Sequence, residues 1–427
     1  MSLRIRSDQV VARHGWVQAV FTVLAALVAM GVVAGVGLWA AGAADLPDGA
    51  YPRVVAATLV TAVGGTVRMR GDAGGLADTD AGLAVIPLSV SLTGALVVAA
   101  GFLRPLRHRA VAGGPELAGW AARVAVVWLL ALLGLCLAAR QTFRVSLGDG
   151  AASDLTEVFG VSPVGGFTTD VPLTLLFGLL WLAGMLLLAL VVSRRAPLPG
   201  RVLRFQESVR PAAYAMVLLL LAYVALGVVI GLVVAATRGH VAETFAVILL
   251  GMPNLVWLAL TIGLGATWNG RVDGPFGLPV PRVLDDVLRG PDISTLNLDS
   301  LSESDGRVWW LVVVNAVLLL TAAVVMAARS PARVRVWQHA VHMAVALALT
   351  VLMICLVCRL SAHFGLSVLG IGDLGGDLSG ELVLRPEFWS ALGLALLWGL
   401  VTGFLGGLLV AGLRRTGRLR SGRAPAA

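Results

Sequence analysis

The sequence predicts an all-α membrane protein with eight transmembrane helices, one re-entrant segment and two parallel four-span repeats. Three observations support this fold class. The 427 residues are 58% hydrophobic and only 13% charged, whereas a soluble domain is about 45–50% apolar and about 25% charged. Long apolar stretches recur along the chain, and arginine is concentrated in some of the segments between them. This composition excludes an ordinary soluble domain and a disordered chain.

Apolar stretches of membrane-spanning length occur eight times. A transmembrane helix needs about 20 predominantly apolar residues, and the stretches that qualify are 16–42, 82–103, 118–139, 172–192, 211–236, 308–328, 337–361 and 388–413. The first exceeds the apolar core of a secretory signal peptide, which is about 7–15 residues, so we expect it to remain in the protein. Several stretches end near tryptophan, as is typical of the aromatic belt at the headgroup level: Trp16, Trp120, Trp268, Trp309, Trp310, Trp337 and Trp389.

Arginine sets the predicted direction of every helix. Of the 32 basic residues, all of them Arg, 19 lie in the five segments 1–15, 104–117, 193–210, 329–336 and 414–427. Short basic loops stay on the cytoplasmic side of a membrane. Both termini are therefore predicted to lie on the cytoplasmic side of the cytoplasmic membrane. The net charge of +8 therefore reflects the topology of the chain and not a polyanion-binding surface. The sequence predicts the lipid bilayer as a partner of the protein and no nucleic acid.

Two further apolar stretches, 51–66 and 243–268, need a separate interpretation. A full crossing by 243–268 would place the basic segments 329–336 and 414–427 outside, against the charge rule. Pro253 lies near the middle of this stretch, and proline breaks a helix. We therefore expect 243–268 to dip into the membrane and return, with a kinked full span as the alternative. Stretch 51–66 is short and is predicted to lie at the outer interface or to insert halfway.

The two halves of the chain follow one plan. The first membrane repeat covers 16–195 and the second covers 211–415, with a cytoplasmic connector at 196–210 and cytoplasmic segments at 1–15 and 416–427. Copies with four spans each point the same way, which implies a pseudo-two-fold axis along the membrane normal, as in parallel-repeat transporters. Chance similarity between segments rich in Ala, Leu, Val and Gly is the alternative.

Short sequence matches support the repeat. Residues 29–35 resemble 225–231, and residues 136–140 resemble 355–359. Their offsets of 196 and 219 residues differ by about the extra length of one outer loop in the second half.

The first matched pair contains two GxxxG motifs. Small residues four apart let two helices approach closely. We therefore expect the first and fifth spans to pack against each other through Gly31, Gly35, Gly227 and Gly231.

Few polar residues lie at membrane depth, and these are the candidates for a pathway. Pro253 and Asn254 lie in the predicted dip, Asn315 lies in the sixth span, and Arg140 and Arg359 lie at the outer ends of the third and seventh spans. Polar groups inside a membrane are expensive and are functional candidates by default. No Asp or Glu lies in the middle of a predicted span, which weighs against a proton- or sodium-coupled carrier. Interhelical hydrogen bonds and interfacial anchoring are the structural alternatives.

Catalytic chemistry has little support in the sequence. The chain has no GxxxxGK[ST], GxSxG or HExxH motif, and no catalytic residue, metal or cofactor is predicted. Asp78 and Asp80 lie in an outer loop with the spacing of the acidic pairs of polyprenol-dependent glycosyltransferases. A lipid-linked transferase is therefore a minor alternative.

A family resemblance extends along the chain. Its segments are 16–31, 104–109, 210–214, 251–257 and 329–342. They resemble the streptophobe family, hydrophobic multi-span proteins of high-GC filamentous bacteria. The resemblance implies an integral membrane protein, and it implies no functional residue because the family has no established activity.

Two functional hypotheses follow. The duplication and the predicted dip favour a channel- or transporter-like protein with a pathway at the repeat interface. The alternative is a non-catalytic cell-envelope scaffold or interaction protein. Its acidic outer loops, 141–171, 269–307 and 362–387, would then bind an envelope partner or a second copy of the chain.

Overall fold

The fold is given by a computed structural model of the 427-residue chain. The structure describes residues 2–46, 49–72, 77–108, 114–144, 164–193, 200–272, 294–331, 333–368 and 380–416. Some of the predicted outer loops, including most of 269–307, lie outside these residues.

Helices make up most of the described chain. The eleven α-helices of the described residues are α1 (Ser2–Ala40), α2 (Ala50–Ala62), α3 (Leu88–Leu103), α4 (Gly114–Ala138), α5 (Val171–Val192), α6 (Gly200–Arg238), α7 (Val241–Gly263), α8 (Leu298–Ser304), α9 (Trp310–Arg329), α10 (Val336–Val357) and α11 (Phe388–Arg415). Eight of these, α1, α4 to α7 and α9 to α11, contain apolar stretches long enough to cross a membrane. This set fits an integral membrane protein.

Two of the predicted segments differ from the helices observed. The predicted span 82–103 begins with the end of a strand, and its helix α3 starts only at Leu88 and has 16 residues. The predicted dip 243–268 contains α7, a helix of 23 residues that continues through Pro253 and has the length and composition of a membrane span. The re-entrant course of this segment stays a prediction at this point.

Eight strands form a sheet that the all-α expectation omits. They are β1 (Val67–Asp72), β2 (Ala77–Ala84), β3 (Gln141–Arg144), β4 (Val164–Thr169), β5 (Trp268–Val272), β6 (Ser294–Leu296), β7 (Leu360–Val368) and β8 (Gly380–Pro386). All pairs are antiparallel, in the order β3-β4-β1-β2-β7-β8-β5-β6. Each half of the chain contributes four adjacent strands, and the β2–β7 pair joins the two groups.

The strand residues whose side chains the structure describes include a packed set and a polar set. Phe167, Trp268 and Leu384 are buried, while their strand neighbours Thr168 and Arg385 are exposed. Alternation of this kind places successive side chains on opposite faces of a strand. The strand segments are too short and too polar to resemble membrane spans, which explains why the sequence suggested loops there.

The sheet lies at one end of the membrane helices. β3 follows the C-terminus of α4, and β7 follows the C-terminus of α10. β4 and β8 lead directly into α5 and α11. Turns with Gly64 (φ 89°) and Gly265 (φ 96°) join α2 to β1 and α7 to β5, and this left-handed conformation favours glycine. The strands therefore directly continue the helix ends, and the sheet lies against these ends.

Candidate functional site at the contact between the two halves

Helix α7 lies between the two halves of the protein. On one side a methyl group at Gly37 of α1 would lie 2.8 Å from Leu250 Cδ2, and the Ser89 hydroxyl of α3 donates to the Ile248 carbonyl at 2.9 Å. On the other side Trp257 Nε1 donates to the Leu220 carbonyl of α6 at 3.3 Å. The segment that the sequence selects as a dip is therefore the helix that connects both halves.

Asn254 of α7 forms a cap on α3. Its Oδ1 accepts a hydrogen bond from the Leu88 backbone nitrogen at 3.2 Å, and its Nδ2 donates to the Ile86 carbonyl at 3.0 Å. The first N–H groups of a helix lack partners within the helix, and α3 has no side-chain cap of its own at Pro87. Asn254 supplies one from the other half of the chain. The amide therefore has a structural role.

Asn315 of α9 joins three helices. Its side chain is fully buried, its Nδ2 donates to the Leu260 carbonyl of α7 at 2.9 Å, and its Oδ1 accepts from the Tyr223 hydroxyl of α6. Gly263 of α7 packs directly against the same amide. The arrangement matches the interhelical hydrogen bond that the sequence offered as the alternative to a pathway.

The C-terminal end of α7 lies beside the middle of α6 and near the start of α9. α7 runs antiparallel to α6, with Met252 beside Gly227 and Gly231 and with Leu260 beside the Asn315–Tyr223 pair. Tyr223 lies near the middle of the apolar part of α6, which extends over Gln206–Arg238. α7 thus ends beside the middle of α6 and leads into β5.

Pro253 is buried inside α7 and leaves the helix unbroken. Arg140 and Arg359 are exposed at the ends of α4 and α10 next to the sheet. The Arg359 guanidinium lies 5.9 Å from the centre of the Phe388 ring. The structure therefore places Pro253, Asn254 and one partner of Asn315, the Leu260 carbonyl, on α7, while the two arginines lie at the ends of separate helices.

The GxxxG motifs do not face each other. A methyl group at Gly31 would meet no atom within 4 Å, and one at Gly35 would meet only the Tyr51 hydroxyl at 3.5 Å. Gly227 and Gly231 instead contact Met252 of α7. The expected contact of α1 with α6 through these glycines is replaced by the insertion of α7.

The tryptophan residues that the sequence assigns to an aromatic belt occupy two different environments. Trp309, Trp310, Trp337 and Trp389 are more than half exposed, as expected for the aromatic belt, and Trp16 is 43% exposed. Trp268, in contrast, is fully buried, and its indole N–H donates to the Thr261 hydroxyl at 3.0 Å. Trp120 is also buried and donates to the Phe102 carbonyl at 3.2 Å. A tryptophan near a helix end does not distinguish these two environments.

Asp78 and Asp80 lie on β2. In the register of the β1–β2 pair they are opposite Asp72 and Arg70. Among the described residues, no group of three or more His, Cys, Asp or Glu side chains has an arrangement that could hold a metal ion.

Comparison with protein-family models, curated proteins and solved structures finds no match to this chain. The resemblance to the streptophobe family therefore stays a prediction from the sequence.

Proposed function

We propose that the chain is a cytoplasmic-membrane protein that presents its eight-stranded sheet on the outer side as a binding platform for a cell-envelope partner. The main observation is that loops from both halves assemble into one continuous sheet with an exposed polar face. The asparagines that the sequence suggested for a pathway are occupied by hydrogen bonds between helices. A non-catalytic interaction protein therefore accounts for more of the geometry than a channel does.

The number of membrane crossings between strands of the same sheet supports a re-entrant α7. α5 leads away from the sheet, so α6 starts at the far end of the helices. If both α6 and α7 crossed the membrane, β5 would emerge on the side opposite β8, yet β5 and β8 are paired. Only one of the two helices can cross. Because α7 ends beside Tyr223 in the middle of α6, we infer that α6 crosses and α7 enters only partway.

The same count of crossings implies an orientation for the chain and eight membrane-spanning helices. They are α1, α3 to α6 and α9 to α11, which are the eight spans expected from the sequence. Both chain ends and the five arginine-rich segments then share the side away from the sheet. Short arginine-rich segments stay cytoplasmic, so the sheet faces outward.

Matching hydrogen bonds support duplication of the two halves. The Gly65 backbone nitrogen donates to the Val60 carbonyl at 3.0 Å, and Ala266 donates to Thr261 at 3.0 Å. The Asp170 backbone nitrogen donates to the Thr66 carbonyl at 3.4 Å, and that of Glu387 donates to the Thr267 carbonyl at 3.0 Å. In both halves the donor directly precedes a helix, α5 or α11, and the acceptor directly precedes a strand, β1 or β5. The strand orders 3-4-1-2 and 7-8-5-6 also agree. Chance similarity of apolar sequences does not account for equivalent backbone contacts at equivalent strand positions.

The charge of the loops indicates the chemistry of the partner. The segments 145–163, 273–293 and 369–379, which join strands of the sheet, contain nine acidic residues and two arginines. Complementary charge directs association and selects among partners. We therefore propose a partner with a cationic surface.

A first experiment tests the orientation on intact cells. Single cysteines replace Thr168 or Arg385 on the polar face of the sheet, or Arg333 in a basic segment, in a chain without its native cysteines. A membrane-impermeant thiol reagent should label the two sheet positions and spare position 333. Labelling of position 333 alone would refute the proposed orientation.

A second experiment tests the platform. A photoreactive amino acid at Thr168, Asn269 or Arg385 should give a discrete adduct with one envelope protein in cells, and the same group at Leu226, which is exposed on α6, serves as the control. Replacement of the loop carboxylates by Asn and Gln should weaken the adduct. A sheet that gives no adduct above the control refutes the platform.

A pathway remains a second candidate function because α7 enters between the halves. A small charged thiol reagent should then reach a cysteine at position 254 from the outside, and substitutions of Asn254 should alter uptake of the transported solute. Protection of position 254 in a correctly folded protein argues against a pathway.

A further inference from the structure

A groove lies where α5 of the first half meets α6 and α10 of the second half. It has a volume of about 360 Å³ and is lined by Leu188, Ser208, Ala213, His342, Ala346 and Met353, among others. This volume falls in the range of small-molecule pockets, about 300–1,000 Å³. Of the residues named in the candidate site, only Leu220 lines this groove.

The groove opens sideways toward the bilayer. Val345 and Leu349 of α10 line it and are 51% and 62% exposed. Both residues lie within a helix that has the length and composition of a membrane span. An occupant that enters from this side must come from the hydrocarbon region, so it must be an apolar chain.

The length of the groove matches one leaflet. Its α6 wall extends from Ser208 to Leu220, which is about 18 Å at about 1.5 Å per residue. Half of a hydrocarbon core of about 30 Å is about 15 Å. One acyl chain of a single leaflet fits this length.

One end of the groove is polar and adjoins a cationic region. Ser208 and His342 line the end near the basic segments. Segment 193–210 contains five arginines and one acid, Glu207, and segment 329–336 contains three arginines and no acid. Basic pockets between membrane helices on the cytoplasmic side bind anionic lipid headgroups. The opposite end, near Leu220 and Met353, is apolar.

We propose that this groove binds one acyl chain of an anionic phospholipid from the cytoplasmic leaflet, with the headgroup beside Ser208 and His342. The leaflet follows from the orientation given under Proposed function, whereas the groove itself does not. Alanines at positions 213 and 346 leave the space for the chain. A phenylalanine at either position would fill it.

Photocrosslinking in nanodiscs tests the site. The full-length protein is reconstituted with a phosphatidylglycerol that has a diazirine near the end of one acyl chain, and the adducts are located by mass spectrometry. We expect adducts concentrated at the apolar end of the groove, in residues 216–220 and 349–353, reduced about tenfold by Ala213→Phe or Ala346→Phe. Ala225→Phe, at an exposed position of the same helix, is the matched control and should leave the adducts unchanged.

Three results would overturn parts of the proposal. Even labelling of all bilayer-facing helices that ignores the groove-filling variants would show only annular lipid. Equal labelling by a phosphatidylcholine probe would refute the preference for an anionic headgroup. In vesicles loaded with the probe in one leaflet, groove adducts only from the leaflet on the sheet side would refute the headgroup placement beside Ser208 and His342, because that end of the groove lies away from the sheet. The orientation is tested separately by the labelling of position 333.

Discussion

The hydrogen-bonded junction of α6, α7 and α9 gives the sharpest test of the helix packing. Asn315→Leu removes the bonds to Tyr223 and to the Leu260 carbonyl and leaves two polar groups in the helix core. An interhelical hydrogen bond in a membrane protein contributes about 0.6 kcal/mol on average and about 1.7 kcal/mol at most. We therefore expect Asn315→Leu to lower the free energy of unfolding by about 1–3 kcal/mol.

A double-mutant cycle isolates the bond between the two side chains. Tyr223→Phe removes only the hydroxyl, so it should cost about 0.6–1.7 kcal/mol, and it should cost nearly nothing in the Asn315→Leu background. Tyr214→Phe is the control in the same helix, because the ring that stacks 3.7 Å below the Arg329 guanidinium is kept. Unfolding in mixed micelles with increasing sodium dodecyl sulfate, followed by circular dichroism, measures all four proteins.

Two outcomes would refute the reasoning. Unchanged stability of Asn315→Leu would mean that the amide does not hold the helices together. Fully additive effects of the two substitutions would mean that the hydroxyl and the amide do not interact, because a coupling energy requires contact. A pathway role for Asn315 predicts the reverse pattern, with altered transport and unaltered unfolding.

Three further predictions concern other contacts. Gly399→Ala should destabilise the protein by about 1–3 kcal/mol in the same unfolding assay, because the added methyl would lie 2.8 Å from the Ala344 backbone nitrogen, whereas Gly393→Ala, which meets no atom within 4 Å, should be close to neutral. Asn254→Leu should cost about 1 kcal/mol, as loss of a helix cap does, and should speed amide hydrogen exchange in the first turn of α3 more than elsewhere. All three native cysteines are buried, so a thiol reagent should modify none of them quickly in mild detergent and all of them after denaturation; fast modification of the native protein would contradict the packing of α4 and α10.

The helices were predictable because bilayer thickness imposes a long apolar signal on the sequence. Seven of the eight predicted spans match the apolar stretches of long helices within about five residues. The exception is the predicted span 82–103, whose first residues form the end of β2 and whose helix α3 is shorter. The sheet was not predictable. Its strands are short, and their partners lie far apart in the chain, as in the pairing of Ala77 with Val368. No local pattern in 77–84 encodes that partner.

The residues of the candidate site could be predicted from the sequence, but the contacts that they form could not. Asn254 and Asn315 stand out because polar groups are rare in apolar helices. Whether such a group faces water or bonds to a neighbouring helix depends on the packing, which the sequence does not state. Asn254 illustrates this, since its partners Ile86 and Leu88 are more than 160 positions away.

The joint between the halves explains why α7 differs from its counterpart α2 under the proposed duplication. α2 has 13 residues, and α7 has 23. α7 lies on the side where the halves meet, below the β2–β7 pair, and contacts α1 and α3 of the first half. The equivalent joint would pair β6 with β3, yet these strands form the two edges of the described sheet. In the described sheet, no contact between the halves therefore lies beside α2. The longer helix and the Asn254 cap therefore both occur at the one joint that the described sheet forms between the halves.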